Sequence, residues 1–307
     1  MDLYSLKGNN LTSLEQKPFK KEKEIQDLVE KNTKELFGVQ FVSSEFTIDE
    51  FRIDTLCFDD ESKSFVIIEY KKGSSYSVID QGYSYLSKML NNKDSFVLEY
   101  CKKKKVSVDI EIDWSQSRII FVSPSFNSYQ KNSVNFQDIP FELWEIKRFS
   151  NDSIVLNQHL SQSNQSIKKV VKGKNNVIDK VNREVKIYSE DYHKSYRKNT
   201  SEEVIELYDS LRNKILDLGD IEIRPRKEYI GFISKTNFVD IRFQTKNLWV
   251  WINLKSGEVD DPKKITRDVS EIGHYGNGDY EFRVYPEETD LDYVIFLIKQ
   301  SFLKHQK

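Results

Sequence analysis

The apolar positions along this chain change period several times, and each change marks an element. Ile25, Leu28, Val29 and Leu36 fall at helical spacing and predict an amphipathic helix over 22–37. Residues 39–58, rich in Val, Ile, Phe and Thr, predict strands. Phe65 to Tyr70 is a short apolar run that ends in charge. A strand buried on both faces reads this way when its end opens into a site. Asp59 to Ser64 (DDESKS) supplies turn residues between the two. Val78, Tyr85, Leu86 and Met89 predict a second helix over 78–90. Residues 95–100 and 117–123 predict further strands, and Leu143 to Phe149 the last strand of this unit. Helix, strands, helix, strands is the order of an α/β or α+β domain with a mixed sheet.

Residues 158–200 are rich in Ser, Asn, Gln and Lys and lack apolar periodicity. They are expected to form a polar linker with a short helix near its end. Beyond it, Val204, Leu207, Tyr208, Leu211 and Ile215 form a helical stripe, with Gly219 as a stop signal. Strands are predicted at 221–224, 228–233, 238–243, 247–253 and 279–285. Thr289 with Asp292 resembles a capping box before a last helix carrying Leu291, Val294, Ile295, Ile298 and Phe302. The expected organisation is therefore 1–157, a linker over 158–200, and a C-terminal α+β domain with an antiparallel sheet over 201–307.

Composition narrows the classes. With 38% hydrophobic and 13% aromatic residues the chain has the means to build a core, so it is not disordered. No apolar run approaches the ~20 residues that span a bilayer. The first residues, MDLYSLKGNN, do not read as a signal peptide. Cys57 and Cys101 stand far apart, with neither zinc spacing nor a disulfide framework, which points to a reducing, cytoplasmic setting. Net charge is −2, but residues 161–200 carry ten Lys/Arg against four acids. Those cations are Lys168, Lys169, Lys172, Lys174, Lys180, Arg183, Lys186, Lys194, Arg197 and Lys198. They suit a soluble linker or an electrostatic arm for nucleic acid. Lys102 to Lys105 read as a solvated hairpin end and, secondarily, as a phosphate contact.

The candidate chemistry lies at the ends of two neighbouring strands. Asp54 follows Phe51-Arg52-Ile53, and Glu69 and Lys71 close the FVIIEY run. Two residues apart, Glu69 and Lys71 point to one face of a sheet. Two carboxylates on one face are the minimum oxygen cage for Mg²⁺, and an adjacent lysine can orient a water or stabilise developing charge. Gln81 and Tyr85, four apart, share a face of the second helix. Glu24 on the first helix offers a further carboxylate.

The ordered set Asp54, Glu69-Tyr70-Lys71 and Gln81-Gly-Tyr-Ser-Tyr85 resembles the PD-(D/E)XK nuclease superfamily, in particular its RecB-like branch and archaeal mismatch endonucleases of the NucS kind. The resemblance covers residues 20–150 and departs in one respect, since no Pro precedes Asp54. It implies a restriction-endonuclease-like N-terminal domain that hydrolyses phosphodiester bonds, most naturally in DNA, in restriction, repair or defence. It implies Asp54 and Glu69 as ligands of Mg²⁺ or Mn²⁺, Lys71 as the catalytic lysine, and Gln81 and Tyr85 as the helix pair supporting the site. Glu24, with Glu30 as the alternative, matches the upstream carboxylate. The alternative reading is a non-catalytic binding protein that keeps this fold. The second half resembles a domain labelled predicted transport protein, through Tyr229-Ile-Gly-Phe232, Asn237-Phe-Val-Asp240, Asp260-Asp-Pro262 and Asp268 to Gly276. Its expected role is recognition of substrate or of a partner, including a second copy of the chain.

Other motifs carry plainer readings. Trp249 and Trp251 share a strand face and suit core packing or base stacking. His274 lies in a glycine-rich loop that suits a structural turn or an anion. Arg224, Arg226 and Lys227 suit a solvated strand end or a basic rim.

Overall fold

The computed structural model describes residues 2–72, 77–161, 163, 165–167, 176–196 and 200–306. The chain divides into two compact units, Met1–Ile187 and Tyr188–Lys307. This division falls inside the stretch expected as linker. Lys168, Lys169, Lys172, Lys174, Arg197 and Lys198 lie outside the described residues.

The first unit opens with a hairpin, β1 (Leu3–Lys7) and β2 (Asn10–Leu14). Helices α1 (Glu22–Glu30) and α2 (Thr33–Phe37) follow. The single helix expected over 22–37 is thus two, because Asn32 leaves helical geometry and its side chain donates to the Leu28 carbonyl at 2.7 Å. That satisfies a carbonyl orphaned at the end of α1. Gly38, at φ +68°, closes α2 in the left-handed conformation that glycine adopts most cheaply.

The six-stranded sheet is built from β3 (Gln40–Ile48), β4 (Phe51–Asp59), β5 (Ser64–Tyr70), β6 (Arg118–Ser123), β7 (Phe141–Arg148) and β8 (Ile154–His159), in that spatial order. Pairs β5–β6 and β6–β7 are parallel and the others antiparallel, so the sheet is mixed, as expected. Every residue of β5 is buried, because both faces are covered. On one face Phe65, Ile67 and Phe121 meet α3 (Val78–Asn91) and α4 (Lys93–Lys104) through Tyr83, Leu86 and Phe96. On the other face Val66, Ile68 and Val122 meet Ile25 and Val29 of α1.

Three expectations are corrected here. Residues 95–100 are helix, within α4, since Phe96 packs edge-on against Phe46 and Phe65. Lys102 to Lys104 accordingly occupy the last turn of a helix, where cations suit the dipole, rather than a hairpin end. The strand over Leu143–Phe149 is not the last, because β8 pairs with it at the sheet edge. Between β6 and β7 lies α5 (Ser128–Ser133). After β8 comes α6 (Asn176–Glu184), whose Ile178 and Val181 are buried in the core beside Tyr83.

The second unit contains α7 (Glu190–Tyr196), α8 (Glu202–Leu216), β9 (Glu222–Pro225), β10 (Ile230–Ile233), β11 (Asn237–Phe243), β12 (Leu248–Ile252), β13 (Arg267–Asp268), β14 (Tyr280–Val284) and α9 (Leu291–His305). Its sheet runs β13-β14-β12-β11-β10-β9 and is antiparallel throughout, which is the expected α+β class. Leu207, Leu211, Ile298 and Phe302 of α8 and α9 share a core with Ile241, Val250 and Phe282 of the strands. The cap of α9 is Asp290, which accepts from the Asp292 and Tyr293 N–H groups. Thr289 instead accepts from the Tyr285 N–H, so the expected Thr289–Asp292 capping box is not formed.

Candidate active site

Strands β4 and β5 pair from Asp59↔Ser64 to Thr55↔Ile68. Because they are antiparallel, the beginning of β4, where Asp54 lies, adjoins the end of β5, where Glu69 lies. Beyond Thr55 the two carboxylates bridge the strands. The Asp54 N–H donates to Glu69 Oε1 at 3.2 Å, and the Tyr70 N–H donates to Asp54 Oδ2 at 3.1 Å. Glu69 Oε2 accepts from Lys71 Nζ at 3.3 Å and from Gln81 Nε2 at 3.2 Å. Gln81 also donates to the Tyr85 hydroxyl at 3.3 Å, and that hydroxyl donates to the Arg52 carbonyl at 3.2 Å. The structure thus brings Asp54, Glu69, Lys71, Gln81 and Tyr85 into one connected group. The helical i,i+4 spacing of α3 delivers the last two.

Electrostatics at this group are strained. Glu69 is 1% exposed. Burial, with the neighbouring Asp54 charge second, pushes its carboxyl up to about 8. Burial also raises Asp54, against the pull of the Tyr70 N–H and Lys71, while the charge of Glu22 adds to the rise. Burial and then Glu69 raise Tyr85 to about 12, so its hydroxyl stays protonated and donates. A buried and a half-buried carboxylate that repel one another gain from a cation between them.

Helix α1 presents Glu22, Gln26 and Glu30, one turn apart, to this end of the sheet. Gln26 Nε2 donates to the Asp54 carbonyl at 3.0 Å and to Glu30 Oε1 at 2.9 Å. Glu30 also accepts from Thr55 Oγ1 at 2.7 Å. Glu22 accepts the Lys72 N–H at 2.7 Å. Glu24 points elsewhere, pairing with Arg148 at 3.5 Å. Glu22 is therefore the acidic side chain that the sequence reading passed over. Its i,i+4 relation to Gln26 and Glu30 was the available signal. Among the described residues no three His, Cys, Asp or Glu side chains converge as a metal site. The oxygen donors present fit a hard divalent ion held by two carboxylates, with water completing the shell.

The remaining motifs lie in the second unit. Trp251 is fully buried, donates to Glu281 at 3.2 Å, and sits under Gly276, where any Cβ would collide with its ring. Trp249 packs 4.7 Å from Trp251, with the Arg283 guanidinium 4.5 Å over its ring. His274 is exposed, its Nδ1 3.0 Å from the Ile272 carbonyl. Arg224 pairs with Glu222 at 2.7 Å. Among the described residues no helix is long and apolar enough to cross a membrane.

Comparison with known proteins adds the following. A profile for a domain of unknown function (DUF5655) matches residues 193–305. Three solved structures give partial likenesses that span less than two thirds of those chains. A repair endonuclease from Pyrococcus abyssi is 21% identical over 38% of this chain and 43% of its own, with a TM-score of 0.22. EndoMS in apo form is 16% identical over 44% and 59%, with a TM-score of 0.26. The EndoMS–dsDNA complex is 14% identical over 47% and 64%, with a TM-score of 0.24. None of these descriptions mentions transport. A Haemophilus influenzae protein, described as an uncharacterized protein, is 47% identical over 305 residues, 98% of this chain and 99% of that one. At that identity along the full length of both, the chain belongs to the family of this Haemophilus influenzae protein.

Proposed function

We propose that the first unit is a divalent-metal-dependent nuclease that hydrolyses phosphodiester bonds in DNA. The observation that carries the reading is the crossed pair of carboxylates, half-buried Asp54 and buried Glu69, at adjoining strand ends with Lys71 on Glu69. Asp54 and Glu69 would hold Mg²⁺ or Mn²⁺, which supplies Lewis acidity and a lowered pKa of bound water. Lys71 takes the role of orienting the attacking water or stabilising charge on the phosphate oxygens. Gln81 fixes the Glu69 carboxylate, and Tyr85 fixes Gln81 by anchoring to the Arg52 carbonyl. Gln26 ties α1 to the Asp54 backbone. The second unit takes the role of substrate or partner recognition.

The test is incubation of the full chain with single- and double-stranded DNA and RNA and Mg²⁺ or Mn²⁺, beside Glu69→Ala. Metal-dependent cleavage of DNA that Glu69→Ala abolishes is the expected result. Cleavage that survives the substitution overturns the assignment.

A further inference from the structure

The two faces of the second unit's sheet differ. One is covered by α8 and α9, whose Leu211 and Phe302 share a core with Ile241, Val250 and Phe282. Side chains alternate along a strand, so Arg242, Trp249 and Arg283 turn to the other face. The register sets Arg242 opposite Trp249 and Trp249 opposite Arg283, which makes one row across β11, β12 and β14. The neighbouring row, Asp240, Trp251 and Glu281, is buried, with Glu281 accepting from Trp251 Nε1 and Asp240 from Asn277. One row thus hides its acids, and the other leaves a cation in the open. Arg242 is committed: it pairs with Glu228 at 2.9 Å and stands 3.7 Å over the Tyr275 ring. Arg283 is exposed, its guanidinium 4.5 Å over the Trp249 ring, and among the described residues no carboxylate pairs with it. An indole beneath a guanidinium restricts it before any ligand arrives and leaves the planar fork of N–H donors that meets a carboxylate at two points. Tyr275 adds an aromatic ring, 50% exposed and edge-on to Trp249 with ring centres 6.3 Å apart. Arg, Trp and Tyr are the side chains that most often anchor protein interfaces.

We infer that this row is a docking surface for an acidic segment of a protein partner, with an Asp or Glu carboxylate on Arg283 and a neighbouring apolar side chain against Tyr275. The inference rests on the second unit's role in recognition, and assigns it a partner rather than the substrate. It does not depend on the first unit cutting DNA. Charge favours protein over nucleic acid here. Residues 188–307 hold 22 Asp/Glu against 19 Lys/Arg. A phosphate backbone is drawn to a surface of many cations, and a net-acidic unit repels it. One carboxylate beside an apolar side chain needs only a well-placed guanidinium and an open aromatic ring, and the row holds both.

The experiment selects a displayed library of random peptides on the immobilised full chain. Recovered peptides should be enriched in Asp and Glu next to Phe, Trp or Leu. By fluorescence anisotropy, a recovered peptide should bind about tenfold more weakly to Arg283→Ala, and Arg283→Lys should restore only part, because an ammonium lacks the fork. Tyr275→Ala should weaken it about threefold. Lys299→Ala, which removes an exposed cation of α9, should change nothing. Exchanging the peptide's acids for amides should erase the difference between wild type and Arg283→Ala, which a merely misfolded variant would not do. No enrichment, recovered peptides without acids, or binding unmoved by Arg283→Ala overturns the inference. So does a labelled oligodeoxythymidine that binds more tightly than any recovered peptide and is lost with Arg283→Ala, since the row would then serve nucleic acid. Because no cleavage is read, a chain that binds such peptides yet cuts nothing fails the nuclease reading alone. A chain that cuts DNA yet shows no such binding fails this inference alone.

Discussion

Each sheet buries carboxylates, and Asp240 of one and Glu69 of the other are held differently. In the second unit Asp240 is fully buried, and its oxygens accept from Asn237 Nδ2 at 2.8 Å and from the Asn277 N–H and Nδ2 at 2.6 and 2.9 Å. Gly231, its cross-strand partner, leaves the room; a Cβ there would stand 2.9 Å from the Asn237 amide. In the first unit Glu69 is as deeply buried, yet its contacts are 3.2–3.3 Å long, one donor is a lysine, and a second carboxylate faces it. Short neutral amide contacts close a carboxylate into the fold. Long contacts, a lysine ammonium and a like-charged neighbour leave one poised to exchange partners. Asp240 therefore reads as structure, whereas the setting of Glu69 suits the proposed site.

The strongest way to break this contrast is to remove Lys71. If Glu69 and Lys71 act together, Lys71→Ala should cut metal-dependent cleavage about 10²- to 10³-fold, on the order of 3–4 kcal/mol of barrier, with melting temperature nearly unchanged. Single-turnover cleavage beside thermal melting checks both halves. A large stability loss with cleavage retained would make the lysine a structural counter-ion.

Asp240→Ala should do the opposite. It strands the Asn237 and Asn277 donors in a dry interior, at about 3 kcal/mol in unfolding free energy, and leaves Mn²⁺ binding alone. Urea denaturation gives the number. A loss below ~0.5 kcal/mol would show the network to be dispensable.

The contrast also explains what was legible in the chain. Asp54, Glu69 and Lys71 show up because strand parity is a two-residue rule and FVIIEY leaves no doubt about burial. Gln81 and Tyr85 show up because four residues make one helical turn. Glu22 was hidden because α1 carries Glu22, Glu24 and Glu30, and only the packing of Ile25 and Val29 against the sheet decides which one turns to Asp54. Residues 95–100 misled because Phe96, Val97 and Tyr100 look like a strand, whereas contacts with Phe46, Phe58 and Phe65 from distant strands hold them as helix. The Asp240 network was invisible because Asn237, at the start of β11, and Asn277, in the loop before β14, meet it only in the fold.

Titration should move the two units in opposite directions. Glu69's folded pKa, about 8, lies above its ordinary 4.5. Its stabilising contribution is therefore complete below 4.5 and lost as pH rises through about 8. In the second unit burial holds His193 below its ordinary 6.5, with its Nε2–H donating to the Arg226 carbonyl at 2.7 Å. Its contribution is present above 6.5 and lost as pH falls further. Without divalent ions, amide exchange in β5, corrected for intrinsic rates, should lose about 2 kcal/mol of protection between pH 6 and 8. Protection in β11 should instead decline below pH 6.5. Glu69→Gln should flatten the first trend and leave the second. Parallel trends in both sheets would mean that neither group governs its unit.

The smallest expected effect discriminates most finely, because Gln81 does for Glu69 what Asn277 does for Asp240: a neutral amide holds a carboxylate oxygen. If Glu69 is a metal ligand, its amide partner orients it rather than holding the fold. Gln81→Ala should then weaken Mn²⁺ binding about tenfold, on the order of 1.4 kcal/mol, and change unfolding free energy by less than ~0.5 kcal/mol. Asn277→Ala should give the reverse pattern, since its N–H and amide hold a fully buried carboxylate at 2.6 and 2.9 Å. Calorimetric titration with Mn²⁺ beside urea melts of both variants decides it. Equal destabilisation by the two substitutions, with Mn²⁺ affinity unmoved by Gln81→Ala, would place Glu69 in the same class as Asp240: a carboxylate kept for the architecture of its sheet, with no ion to hold.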